Sequence, residues 1–294
     1  MKQKKGGLIL KKNTTLDFSY SKVFGKIMKL PEIDFITCEP IKIKDQGDSD
    51  MCAAYATCAV VEDHEGVELN PNWFFGQLKK KQGNWKSWGS DLLTVCKVAT
   101  SVGFIEGNDN YGLEKRDDFA QWKNWPYGLE NKAVVHAQKS YFKPDGYGNT
   151  FDSFRASIFA NLSDKSSIIT GVIWRENWTS AENGIIPVGK SEEGYGHAIK
   201  IYGQKKINGK LYLICQSSNG NSLGDKGLYY FPEEVINRDF KFGAYLFVDL
   251  DPDYAKKKWT FWQNTLWKFH QFYKSLLKLI NEFKIKQKNV QTDF

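Results

Sequence analysis

The hydrophobic pattern of this 294-residue chain changes period part-way along, and that change constrains its fold more than any other feature. In the first half, apolar residues recur at helical spacing over Cys52 to Glu65, Asn72 to Lys81 and Ser90 to Val102, the last closing on Gly103 as a glycine stop. In the second half, short β-branched and aromatic runs take over: "SIITGVIW" (167–174), "HAIKIYG" (197–203), "KLYLICQSS" (210–218), "GLYYF" (227–231) and "GAYLFVDL" (243–250). Turn-forming stretches such as "KKINGK" separate them. The pattern predicts an α+β fold, with a helical lobe over about 40–140 followed by an antiparallel β lobe over about 141–250. Two unlike lobes place a shared cleft at their junction, where pockets tend to form.

Composition narrows what that cleft can hold. The chain is 41% hydrophobic and 15% aromatic, ample for a buried core. Its formal charge of +7 is concentrated at the ends: residues 256–288 hold nine lysines against Glu282, and residues 2–12 hold five lysines, so the body between them is net negative. No nucleic-acid face is expected on such a body. The five cysteines (Cys38, Cys52, Cys58, Cys96 and Cys215) contain no C-x-x-C pair, and the histidines form no H-x-x-x-H or Cys/His cluster, so neither a metal nor another cofactor is implied. An odd number of thiols without a framework favours a reducing compartment. In "MKQKKGGLILKKN" only Leu8 to Leu10 is apolar, too short for a signal peptide, and no segment reaches transmembrane length. The expected setting is cytoplasmic or intracellular, in a virus or a bacterium.

Chemistry enters at "IKDQGDSDMCAAYATCAVVE". Cys52 opens a predicted helix, where unpaired N–H groups and the positive end of the dipole favour a thiolate. A cysteine on an apolar helix is ordinarily a small core residue, which is the reading for Cys58 and Cys96. Cys52 differs by its company. Gln46 precedes it by six positions, and His197, just after Gly194-Tyr195-Gly196, begins a predicted strand 145 residues downstream. That separation falls within the about 130–150 residues between cysteine and histidine in one group of cysteine proteases.

These residues resemble the papain-like cysteine peptidases, over roughly residues 30–250. "LPEIDF" (30–35) is similar to the start of the mature enzyme, "IKDQG" (43–47) with Cys52 to the glutamine-to-nucleophile segment, and "WGSDLLTVCKVATSVGFIEG" (88–107) to the glycine-containing cleft edge and its following helix. "GYGHAIKIYG" is similar to the histidine strand, and "QSSNGNSLGDKGLYYF" (216–231) to the Asn-Ser-Trp-Gly segment. The resemblance implies a papain-like two-lobe fold and a thioester acyl-enzyme route to peptide-bond hydrolysis. It assigns Cys52 as nucleophile, His197 as general base and acid, Gln46 as oxyanion-hole donor, and Gly89, Gly196 and Asp50 to the substrate cleft.

Departures cluster at the same place. The family's C-G-S-C-W is here Ser49-Asp50-Met51-Cys52-Ala53, so the usual first-lobe disulfide cannot form. Asp50 replaces a glycine beside the S1 subsite, where a carboxylate would narrow the cleft, favour a basic P1 residue or raise the pKa of His197. A solvated loop aspartate is the alternative. Ungapped alignment sets Ser217 where the family has its orienting asparagine and Asn219 where it has tryptophan, and either could orient His197. The expected function is a cysteine endopeptidase acting on peptide or protein substrates. The alternatives are a weak or inactive peptide-binding module on the same fold, or a Cys-His acyltransferase or cell-wall amidase.

Two segments fall outside the resemblance. Residues 1–29 form an N-terminal arm, of which 13–29 are too short to resemble the family's pro-region and are read as a disordered or surface arm, or as a strap across the cleft. After a linker over 251–258, residues 259–288 predict an amphipathic helix. Trp259, Trp262, Leu266, Phe269, Tyr273, Leu276, Ile280 and Phe283 alternate at spacings of three and four. Its apolar stripe would pack on the body, mediate self-association or partner docking, or contact an anionic membrane surface.

Overall fold

Helix α1 (Cys52–Glu65) is buried on nearly every side. Four alanines, Ala53, Ala54, Ala56 and Ala59, keep it narrow enough for neighbours to pack all round it, as expected of a central helix. Among the described residues no side chain caps its start, so its first N–H groups stay directed at whatever lies in front of Cys52. It stops at Gly66, whose φ of 71° allows the left-handed cap that returns its N–H to Glu62. The computed structural model describes residues 7–9, 30–144, 149–189 and 194–248.

Around α1 stand α2 (Pro71–Gln82), α3 (Leu92–Ser101), α4 (Arg116–Ala120) and α5 (Leu129–Ala133). Asn70 caps α2 by accepting from the Trp73 N–H at 2.9 Å, and Asp91 caps α3 by accepting from that of Thr94 at 3.0 Å. Val60, Trp73 and the stacked pair Phe74 and Phe104 fill the space between the helices.

The second lobe is an antiparallel sheet of β1 (Phe35–Ile36), β2 (Ser140–Phe142), β3 (Ile168–Arg175), β4 (Gly194–Ile207), β5 (Lys210–Gln216), β6 (Leu228–Pro232) and β7 (Phe242–Val248). Its order is β2-β7-β3-β4-β5-β6, with β1 on the far end of β4 through Phe35 and Gln204. Helices α6 (Phe151–Ala160) and α7 (Glu233–Asp239) complete this lobe. Trp174, Phe231 and Phe240 lie in its core. The α+β architecture follows the two hydrophobic periods of the sequence. The histidine strand starts earlier than its apolar run suggests, because Gly194-Tyr195-Gly196 already pairs with β3.

The lobes are tied by charge as well as apolar packing. Asp63 on α1 and Lys200 on β4 are each about 1% exposed and meet at 2.5 Å, while the hydroxyls of Ser167 and Thr37 also donate to Asp63. Such a pair is costly to desolvate but more costly to break, since one charge would be left alone. It sits eleven residues from Cys52, roughly 16 Å along the helix. The linker at 251–258 and the amphipathic helix at 259–288 lie outside the described residues, as do arm residues 1–6 and 10–29. Among the described residues no helix is long and apolar enough to cross a membrane.

Candidate active site

Cys52 is the first residue of α1 and is wholly buried between the lobes. Its thiol interacts with the backbone N–H of Ala198, next to His197 on β4, and accepts the N–H of Gly7 at 3.2 Å. The helix start favours a thiolate, yet burial wins and pushes the thiol up to about 11, against the lowering effect of the N–H groups of Gly7, Ala198 and Ala53. This reverses the direction expected from sequence. The helix terminus is as anticipated, but residues 7–9, to which the sequence assigned no role at the site, cover it.

The cover is the chain's own N-terminal arm. Gly7, Leu8 and Ile9 lie extended across the junction. Ser90 donates its N–H to the Gly7 carbonyl at 2.8 Å and accepts that of Ile9 at 3.1 Å, in the parallel sense. On the opposite wall the Leu8 N–H donates to the Gly196 carbonyl at 3.3 Å. Both contacting stretches leave no room for a side chain. A Cβ on Gly7 would fall 1.8 Å from the Asp50 carbonyl oxygen, and one on Gly89 1.7 Å from that of Gly7. Residues 7–9 form a strap of the kind that was one reading of residues 13–29, which themselves lie outside the described residues.

His197 is 1% exposed and its Nε2 lies 3.1 Å from Ser217 Oγ. Trp174 packs edge-on to its ring at a centroid distance of 5.1 Å. Sequence reading took Trp174 only as a strand residue. Its pairing with Tyr195 across β3 and β4, two residues from His197, was the available signal, but it depends on register. Asn219 is also buried. Its backbone bridges Asp45, and its side chain lies near the Tyr229 hydroxyl. Gln46 donates from Nε2 to the Ser49 carbonyl at 2.7 Å and accepts from the Ser218 hydroxyl at Oε1. A primary amide carries two N–H bonds, so this contact commits only one of them.

Asp50 departs from both sequence readings. It is neither solvated nor an open carboxylate in the S1 region: its side chain is 0% exposed and forms a two-pronged pair with Arg116, Nε to Oδ1 at 2.7 Å and the second guanidinium nitrogen to Oδ2 at 2.8 Å. The Gly89 N–H donates to the same Oδ2. Burial raises the pKa of Asp50, but the bonds to Arg116 and Gly89 outweigh it and hold the carboxyl below the usual range. Its charge is committed to the cleft wall, not offered to His197 or to a basic side chain.

A thiol at a helix start, an imidazole on the facing strand and an extended segment between two lobes are the parts of one known architecture. The fold is papain-like. Xylellain, a cysteine protease from Xylella fastidiosa, superposes with a TM-score of 0.66 at 19% identity, over 85% of this chain and 99% of that one. The papain-like fold is shared with proCathepsin B S9 from Trypanosoma congolense (TM-score 0.61, 13% identity, 82% and 85% covered). It is shared also with the bromelain protease from Ananas comosus in complex with the E64 inhibitor (0.53, 16%, 73% and 98%). No family model matches the sequence, and no curated protein does.

Proposed function

We propose that this chain is a papain-like cysteine peptidase that hydrolyses peptide bonds through an acyl-enzyme. The observation that carries the reading is an extended peptide, the chain's own Gly7 to Ile9, hydrogen-bonded between the walls directly over Cys52. A groove that aligns backbone in this way suits a protease substrate. With Nε2 held by Ser217, Nδ1 of His197 is the nitrogen that takes the thiol proton as Cys52 Sγ attacks the carbonyl carbon. The resulting oxyanion would be met by the Cys52 backbone N–H and the second N–H of Gln46. Collapse breaks the C–N bond, His197 returns the proton to the leaving amine, and water then hydrolyses the thioester with His197 again as base.

The arm itself escapes this chemistry because it offers the thiol an N–H rather than a carbonyl carbon. Activity then requires its departure. The same cover supports a second reading, an inactive peptide-binding module, since it leaves the thiol protonated at neutral pH. Mass spectrometry after incubation with E64, in the full chain and in Gly7→Ala, separates the two. A single adduct on Cys52 together with turnover of a peptide library supports the peptidase. Absence of both from the variant overturns it.

A further inference from the structure

Opposite the sheet, the cleft is walled by residues 85–90, a loop with no regular structure of its own. The carbonyl oxygens of Trp85, Ser87 and Gly89 are gripped from the helical lobe by two cations. Arg116 donates to the carbonyls of Trp85 at 2.9 Å and Ser87 at 2.7 Å, while Lys79 donates to those of Ser87 at 2.8 Å and Gly89. Lys79 is fully buried, and both cations lie over the ring of Phe75, at 4.7 Å for Lys79 and 5.2 Å for Arg116. Asp50, two residues before Cys52, pairs with Arg116 and takes the Gly89 N–H as well, while Asp117 meets Arg116 at 3.0 Å. Ser90, the residue that hydrogen-bonds the extended peptide through both its N–H and its carbonyl, follows immediately.

We propose that Arg116, with Asp50 and Lys79, is a positioning device for peptide binding: an electrostatic clamp that fixes the Ser90 backbone at the distance and tilt a strand-like ligand needs. It rests on the peptidase reading only for its effect on turnover. Ser49 stands where the resembling family carries a disulfide cysteine, so the clamp ties the pre-helix segment to the cleft wall without a covalent bond. The guanidinium fork is suited to this, because it binds a carboxylate with two nitrogens and still has N–H bonds for two carbonyls. A lysine at 116 would keep the charge but lose that geometry.

The test uses the full chain with Arg116→Met and Arg116→Lys, read in two ways. First, iodoacetamide labelling of each cysteine at pH 7: loss of the clamp loosens the Ser90 edge that holds the arm, so Cys52 labels about tenfold faster in Arg116→Met and to an intermediate degree in Arg116→Lys, with Cys58 and Cys96 still protected. Second, in the Gly7→Ala background, KM for a peptide substrate rises about tenfold while kcat changes less than about twofold, the signature of lost binding without lost chemistry. Unchanged Cys52 labelling and unchanged KM overturn the clamp. So does equal exposure of Cys58 and Cys96 in both variants, which would make Arg116 a support of the whole lobe. If Cys52 labelling responds as stated but no variant turns over peptide, the clamp stands and the peptidase reading falls.

Discussion

The backbone N–H of Gly7 points at the sulfur of Cys52 from 3.2 Å, so the N-terminal arm rests on the candidate nucleophile. Gly7 is held there by absence of a side chain, since any Cβ would overlap the Asp50 carbonyl. Gly7→Ala in the full chain should therefore expel the arm. Alkylation of Cys52 at pH 7 is expected to rise by about tenfold or more as the thiol regains water and its helix-terminus stabilisation. A rate equal to wild type would show that the arm does not shield the site.

The same substitution should move a titration. With the arm in place, burial holds the Cys52 thiol at about 11, so thiolate forms only as pH climbs toward that value and labelling keeps rising through pH 9 and 10. Water reaching the sulfur removes the largest cause of the rise, so in Gly7→Ala the labelling midpoint is expected to fall. A midpoint that stays near 11 would attribute the shift to the lobes themselves.

Ser217→Ala and Asn219→Ala should differ. Ser217 Oγ lies 3.1 Å from His197 Nε2, whereas Asn219 joins the Asp45 segment through its backbone and lies near the Tyr229 hydroxyl. In the Gly7→Ala background, Ser217→Ala is expected to lower kcat about fivefold, the worth of one hydrogen bond of roughly 1 kcal/mol, while KM holds. Asn219→Ala should act on thermal stability more than on kcat. Equal kcat losses would mean that neither side chain sets the imidazole alone.

Asp63→Ala leaves Lys200 as an unpaired charge about 1% exposed. Breaking a buried pair from one side costs about 3–5 kcal/mol, so denaturant unfolding should register a loss of that order. A loss under about 1 kcal/mol would indicate that water enters the lobe junction and solvates Lys200.

The parts of this architecture legible in sequence were those set by local physics. Period alone located α1, α2 and strands β3 to β7 to within a few residues, because apolar spacing is a property of each element by itself, whereas the short β1 and β2 went unread. Gln46, Cys52 and His197 were picked out by spacing and order, and the fold brings Cys52 against the residue after His197. What was hidden depended on partners far away in the chain. Asp50 could not be read as a wall anchor without Arg116, 66 residues later, and Trp174 could not be placed beside His197 without the β3 and β4 register. Residues 7–9 were not singled out for a similar reason: "GGLI" carries too little pattern to reveal that two cleft walls would accept it.

Because the arm is covalently attached, its release differs from the loss of a free inhibitor. A tethered segment acts at an effective concentration on the order of millimolar, undiminished by dilution and always ready to rebind. Any incoming peptide competes with that standing concentration, so weak ligands present at micromolar levels would leave the thiol covered. On the proposed peptidase reading, the cleft would filter by affinity before any bond is cut, and would respond to tightly fitting sequences or to targets already gathered beside it. Selectivity of this kind would reside in Gly7, Leu8 and Ile9 rather than in the shape of the subsites.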